Sequence, residues 1–207
     1  MSEHHASVTV HAPVQQVYAF FTHFNDFPKF MSFVKEVTYY DEQRSHWVAH
    51  IVGDNEWDAL NEKWIPNQQI GWRSTSGLSN TGLVRFAPMG DDRTRVDVFI
   101  SYTPPAGILG KAADTIGVEE RFAEILQHDL EQFERMVEEA PPGALDPMQS
   151  HYLFHNESVV ARHSATSRQA QSMETDPMMS QDALKTREST IPNEETAEEK
   201  VRRNENE

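Results

Sequence analysis

Residues 10–37, VHAPVQQVYAFFTHFNDFPKFMSFVKEV, decide how this chain folds. Pro13 has no N–H to leave unpaired, and its fixed φ suits the first residue of a helix. From there Val14, Val17, Tyr18 and Phe21 recur at helical spacing and give one apolar stripe. Asn25, Asp26 and Pro28 then break the pattern. Phe24, Phe27, Phe30 and Met31 crowd into this breaker region. Rings in that number do not suit a solvated loop, so the stretch predicts a turn laid over something apolar. The whole reads as strand end, helix, aromatic turn and second strand.

Working outward, short β-like runs alternate with turn residues from Ser32 to Pro104. The predicted strands are Ser7–His11, Val34–Asp41, Ser45–Val52, Glu56–Trp64, Gln69–Ser74, Gly82–Pro88 and Thr94–Thr103. Gly53-Asp54-Asn55, Pro66-Asn67, Gly77–Asn80 and Gly90-Asp91-Asp92 supply the turns. Close spacing without intervening helices argues for an antiparallel meander. Val96, Val98, Ile100 and Tyr102 alternate with Asp97 and Ser101, which assigns the first set to the face that meets the last helix. Trp47, Ala49 and Ile51 alternate with His46 and His50 in the same way.

Beyond Pro104-Pro105 lies a helical region in two parts. Ile108, Leu109, Ala112 and Ile116 make a short stripe, with an interruption expected near Gly117. Phe122, Ile125, Leu126, Leu130, Phe133 and Val137 then hold one helical face, with Glu119 and Glu120 at its N-terminal end, where they suit the dipole.

The motifs now gather into a resemblance. AP-x-x-x-VYAFF-x-x-F-x-DFP-x-FM is followed by HWVAH (46–50), EWDA (56–59), IGWRS (70–74), G-x-V-x-F (82–86) and V-x-V-x-I-x-Y (96–102). Over roughly residues 5–139 this order resembles the START-like (SRPBCC) superfamily. Within it the chain is similar to the polyketide cyclase/dehydrase and lipid-transport family, near its coenzyme Q-binding branch. The resemblance implies an α+β helix-grip fold: a curved antiparallel sheet of about seven strands around a long C-terminal helix, with a cavity between them. It also implies that a stretch before the helix, here Pro104–Val118 with Gly107, Gly110 and Gly117, gates that cavity.

Composition sets the limits of the folded part. Only 38% of the 207 residues are hydrophobic. Past Pro141-Pro142-Gly143 the only aromatic side chains besides histidine are Tyr152 and Phe154, and no apolar periodicity remains. The expectation is a ligand-binding domain over 1–140 and an acidic, polar, disordered tail over 141–207, with at most a marginal helix in Pro192–Arg203. The formal charge of −15 is shared by both parts: 21 acids against 11 bases before residue 141, and 12 against 7 after it. Such a chain offers no basic stripe for nucleic acid and no charge attraction to an anionic membrane. The few bases of Lys200, Arg202 and Arg203 are flanked by acids. With no cysteine there is no disulfide, zinc–thiolate site or thiol nucleophile. The absence of cysteine, of a signal peptide at the N-terminus and of a long apolar run leads to the expectation of a cytoplasmic location without a transmembrane segment.

Several constellations invite chemistry and lose to blander readings. His46 and His50 lie on one strand face, roughly 13 Å apart, too far to share a metal ion. His4-His5 is expected to be disordered. Glu56, Asp58 and Glu62 share a strand face that reads as solvated rather than as an acid–base pair. Gly107–Lys111 lacks the spacing and the Ser/Thr of a phosphate loop. No cofactor and no metal site is expected.

What remains is the cavity. Its expected ligand-binding residues are Phe24, Phe27, Phe30, Trp47, Trp57, Trp72, Phe86, Val98, Ile100, Tyr102, Phe122 and Leu126, with Phe20 beside them. Aromatic walls bury much area per residue and suit flat or isoprenoid molecules. Asn61, Arg73, Ser74 and Tyr102 are the polar groups placed to orient a ligand, although Arg73 should point away from Trp72. The expectation is binding or transport of a small hydrophobic ligand: lipid, quinone or polyketide-like. Two alternatives stand beside it. One is a cyclase or dehydratase, whose acid–base pair the sequence does not supply. The other is an interaction module whose tail engages a protein partner.

Overall fold

The structure, a computed structural model, describes residues 1–51, 53–104, 112–141 and 143–145. Its strands are β1 (Ser2–Val10), β2 (Val34–Tyr39), β3 (Arg44–His50), β4 (Asp54–Ile65), β5 (Gln69–Gly77), β6 (Asn80–Pro88) and β7 (Thr94–Tyr102). They form one antiparallel sheet in the order β1-β7-β6-β5-β4-β3-β2. Every connection from β2 to β7 joins neighbours, so the meander expected from the turn spacing is the one observed. Two helices complete the fold: α1 (Val14–Phe21) and α2 (Ala112–Glu138). The curled sheet around α2 is the helix-grip arrangement.

The sheet curls because its strands are irregular. β2 shifts register between Val34 and Glu36, and β4 shifts at Asp58/Ala59 and again between Glu62 and Ile65. Lys63 takes a positive φ of 55° within the last of these. Each bulge adds local twist and bends its strand. The inner face then carries Ala6, Val8, Val10, Trp47, Ala49, Trp57, Ala59, Val84, Val96 and Val98, all buried.

Pro13 sits one position earlier than expected. It is the N-cap of α1, with φ −59° and ψ 148°, and its carbonyl accepts the N–H groups of Gln16 and Val17 at 3.0 and 3.1 Å. The aromatic turn is a 3₁₀ helix over Phe24–Lys29, tight enough to turn Phe24 and Phe27 inward together. The α1–turn unit therefore links one edge strand, β1, to the other, β2, and its rings close over the inner face.

Two expectations are corrected. β1 begins at Ser2, so His4 and His5 are ordered and pair with Ile100 and Phe99. The alternation of Ala6, Val8 and Val10 simply continues backward, and His4 packs against Tyr102 and Phe122 at 5.6 and 4.8 Å between ring centres. The interruption near Gly117 is also absent, because α2 runs unbroken from Ala112. Gly117 is exposed with nothing near its missing Cβ. A glycine there weakens the helix by about 1 kcal/mol but does not end it. Of the gate expected over Pro104–Val118, residues 105–111 lie outside the described residues and the stretch from Ala112 is the start of α2; Val52 and the tail from 146 on also lie outside the described residues. Ala144 and Leu145, just past the expected domain boundary, are buried with the core.

α2 lies against β1 as well as under the sheet. Gln127 bridges the free edge of β1, accepting from Ser7 N–H and donating to Ser7 C=O, each at 3.2 Å. Asp129 accepts from Ser32 N–H at 2.7 Å and from Ser32 Oγ at 3.0 Å, tying the helix to the end of the aromatic turn. Leu126, Leu130 and Phe133 are fully buried on the stripe read from the sequence. Each contributes about 1.5–3 kcal/mol by leaving water.

Gly82 is a point of close approach within the sheet. A Cβ at this position would run into the indole of Trp72 on β5. Gly82→Ala should therefore displace that ring and destabilise the chain by about 1–3 kcal/mol, measured by urea denaturation. Unchanged stability would mean that Trp72 does not lie over Gly82.

A candidate ligand cavity

The inner face of the sheet is wider than the helix that covers it. At one end the space is filled by rings. Phe21 meets Phe133 at 4.9 Å, and Phe30 meets the same ring at 5.1 Å. Phe24 meets Phe27 at 5.0 Å and Trp64 at 5.6 Å. At the other end a slot remains. Its volume is about 50 Å³ as room for the centre of a water-sized sphere, and about 590 Å³ as all atom-free space up to its open side. The first figure is the one that limits a ligand. It exceeds what a single water needs, about 10–15 Å³, yet it is narrow for a drug-sized molecule. A ring system enters only if flexible wall residues such as Met31 and Leu78 turn aside.

The structure brings eight of the sequence-predicted residues to this slot: Phe27, Trp47, Trp57, Trp72, Val98, Ile100, Tyr102 and Phe122. Phe24, Phe30, Phe86 and Leu126 do not line it and are buried in the packed core, as is Phe20. Sequence reasoning missed Phe21, Met31, Phe33, Val34, Ile51, Leu78 and Asn80. The alternation that selected Trp47 already carried Ile51, and the FPKFM motif carried Met31. Leu78 stands in the β5–β6 turn, where no period signals an inward side chain, and Asn80 is the first residue of β6, two positions before the strand start that the sequence pattern marks.

Three walls fix the slot's shape. Trp47 and Trp57 stack across β3 and β4, 5.7 Å apart and 12° from parallel. Tyr102 packs against His4 and Phe122, whose rings are 5.6 and 5.3 Å away. Trp72 donates from Nε1 to Asn80 Oδ1 at 3.0 Å, and Asn80 Nδ2 donates in turn to Leu78 O at 2.8 Å. Of the four polar residues expected to orient a ligand, Ser74 Oγ is taken by the Asn80 N–H at 2.9 Å. Arg73 points outward, as expected, and pairs with Glu62 at 3.3 Å. Asn61 is buried away from the slot. Only Tyr102 faces it.

Charges sit mainly outside. His46 contacts Asp58 at 2.9 Å, while His50 contacts Asp54 at 2.7 Å, so the two histidines serve separate carboxylates. Hydrogen bonds from Ser76, His46 and Tyr40 hold the Asp58 carboxyl down to about 2. His11, Glu134 and Glu138 have donor atoms within 4.8 Å of one another, a grouping the sequence did not reveal because β1 and α2 meet only in the fold. His11 Nδ1 already contacts Glu138 Oε1 there at 2.8 Å. On the outer face a depression of about 490 Å³ lies above Gly82, between Glu3, His5, Glu62, Lys63, Leu83 and Phe99. It is roomier than the inner slot, but its charged, open rim is a poor container for an oily molecule.

Two ionisable groups lie under the aromatic turn. His23 is fully buried, and burial lowers it to about 3, so it is neutral in the fold. Asp26 is pushed up to about 7 by burial, against the pull of Lys29 Nζ at 3.2 Å.

These features agree with what the chain resembles. The profile described as polyketide cyclase/dehydrase and lipid transport matches residues 10–131. The chain belongs to that family. A relative described as an uncharacterized 17.2 kDa protein in the melC2-rnhH intergenic region of Streptomyces lincolnensis is 31% identical over 141 residues, 67% of this chain and 91% of its own. The crystal structure of DR_A0006 from Deinococcus radiodurans is 26% identical with a TM-score of 0.53, over 66% of this chain and 98% of that one. The Zhui aromatase/cyclase from Streptomyces sp. R1128 shares the fold at 19% identity and a TM-score of 0.54, over 67% of this chain and 96% of that one. Membership in the family fits hydrophobic-ligand binding or a cyclase-like role. No helix among the described residues is long and apolar enough to cross a membrane.

Asp26 gives the aromatic turn a pH dependence of definite sign. Its folded value of about 7 lies above the ordinary 3.8. Between these values the folded chain keeps a proton that the unfolded chain has released. The contribution is complete below the lower value and is lost as pH rises through the upper one. Asp26→Asn removes the effect. Going from pH 5 to pH 8, the variant should gain on the natural chain by about 2–4 kcal/mol in urea denaturation. An equal gap at both pH values would show that Asp26 is ionised in the fold throughout.

Proposed function

We propose that this chain binds and carries a small hydrophobic ligand, a lipid, quinone or polyketide-like molecule, in the slot between the sheet and α2. The observation that carries this reading is the slot itself: a recessed, aromatic-walled space beneath the covering helix, formed by Trp47, Trp57, Trp72 and Phe122. Ligand sites are concave and mainly apolar with a few placed polar groups, and this wall has that make-up. A molecule of modest size gains about 25 cal/mol for each Å² of apolar surface it buries there. The likeness to an aromatase/cyclase fold supports a ligand with rings but does not choose the ligand.

Organic extraction of the purified full chain, followed by mass spectrometry, should release an apolar molecule in a fixed ratio to protein. Leu78→Trp fills the slot from the partly buried β5–β6 turn. It should lower that ratio by about tenfold or more while the circular dichroism spectrum stays unchanged. An extract free of bound molecules, with no uptake of added lipids or quinones, would reject the carrier reading.

A further inference from the structure

The polar groups on the inner wall are not treated alike. Of the four indole N–H groups, three are satisfied by protein. Trp47 donates to Ser45 Oγ at 2.8 Å, Trp64 to Gly71 O at 3.0 Å and Trp72 to Asn80 Oδ1 at 3.0 Å. Trp57 is the exception. Its Nε1–H is buried and meets no acceptor among the described residues, and the same holds for the hydroxyl of Tyr102. The two residues are only 7% and 2% exposed, and both line the slot.

Neither group can swing away to find a partner. Trp57 is stacked on Trp47, and Tyr102 packs against both His4 and Phe122. They also stand at the same end of the slot. Trp57 pairs with Gly77 across β4 and β5, and Tyr102 pairs with Asn80 across β7 and β6, at the two ends of one short turn. A buried donor left unpaired opposes folding, so two of them on residues that line one hollow call for an explanation from what the hollow holds.

We propose that Trp57 Nε1–H and Tyr102 O–H are a paired anchor for an acceptor oxygen on the bound ligand. On this view the slot selects neutral, apolar ring molecules bearing a carbonyl over hydrocarbons of the same shape. The inference rests on the carrier reading above and narrows it to a chemical class. An indole can only donate, so the complementary ligand atom must accept. Burial, with the negative charge of Glu119 behind it, pushes the Tyr102 hydroxyl up from its ordinary value, so it stays protonated and remains a donor. Glu119 itself accepts from Ser2 Oγ at 2.6 Å, close to this end of the slot. Its charge disfavours a carboxylate ligand and favours an uncharged carbonyl.

Titration calorimetry on the full chain with 9-fluorenone and with fluorene, which differ by the carbonyl alone, tests this. The natural chain should bind the ketone about tenfold more tightly than the hydrocarbon, the effect of one or two neutral hydrogen bonds. Trp57→Phe and Tyr102→Phe should each pull that ratio toward one, a comparison that a general loss of packing does not alter. Equal affinities in the natural chain would overturn the anchor and leave the cavity reading standing. Binding of neither probe would overturn the anchor, while the carrier reading stands or falls on the extraction. In the ligand-free state, Tyr102→Phe should raise Tm by about 2–4 °C, because it removes an unpaired buried hydroxyl. A fall in Tm would show that the hydroxyl already has a protein partner, and the anchor would fail.

Discussion

One apolar stripe has to cover a face several strands wide. Leu126, Leu130 and Phe133 of α2 are fully buried against the curled sheet, yet a helix is only about 10–12 Å across. The rest of the inner face must be covered by something else or stay hollow. The chain supplies the cover from the α1–turn unit at one end, where Phe21 and Phe30 both reach Phe133. At the other end it supplies only thin walls. The slot is therefore a consequence of the same mismatch that organises the core. Asp129 and Ser32 hold the two coverings in register, with the carboxylate accepting both the backbone N–H and the hydroxyl.

The polar arrangement follows from this division. Outward-facing acids and histidines meet in exposed ion pairs, of which Lys35–Asp54 and Arg44–Asp41 are typical. Such pairs add about 0–1 kcal/mol each and keep an acidic chain well solvated. Inside, ionisable groups lie under the aromatic turn, at His4 beside Tyr102 and at Asp129, and burial works against ionisation of each. The slot itself is walled almost wholly by rings and aliphatic side chains.

Much of this was legible because periodicity reports which way a side chain faces. Val96, Val98, Ile100 and Tyr102 were assigned inward from alternation alone, and the Phe122-to-Val137 stripe gave the helix face. Arg73 was correctly turned away from Trp72 by the same rule. Periodicity does not report depth. Phe24, Phe86 and Leu126 face inward like Trp47, but whether an inward residue meets another ring or a void depends on partners far away in sequence. His4 and His5 were misjudged because two histidines at a chain start look like solvent-exposed residues. Only the register of β1 on β7 shows that one of them packs on Tyr102. Gly117 was given a break it does not make, since a glycine on a solvent face costs a helix little once its other face is buried. The place of Leu78 on the slot needed coordinates, because a turn residue carries no period.

The placement of the four tryptophans has an optical consequence. Trp47, Trp57 and Trp72 line the slot, and Trp64 packs on Phe24 beside it, so every indole of the chain reports on the inner face. Trp47 and Trp57 lie nearly parallel at 5.7 Å, close enough for their excited states to couple. Intrinsic emission and near-ultraviolet dichroism thus carry no background from surface chromophores of this type. Any molecule entering the hollow announces itself in the spectrum without a label.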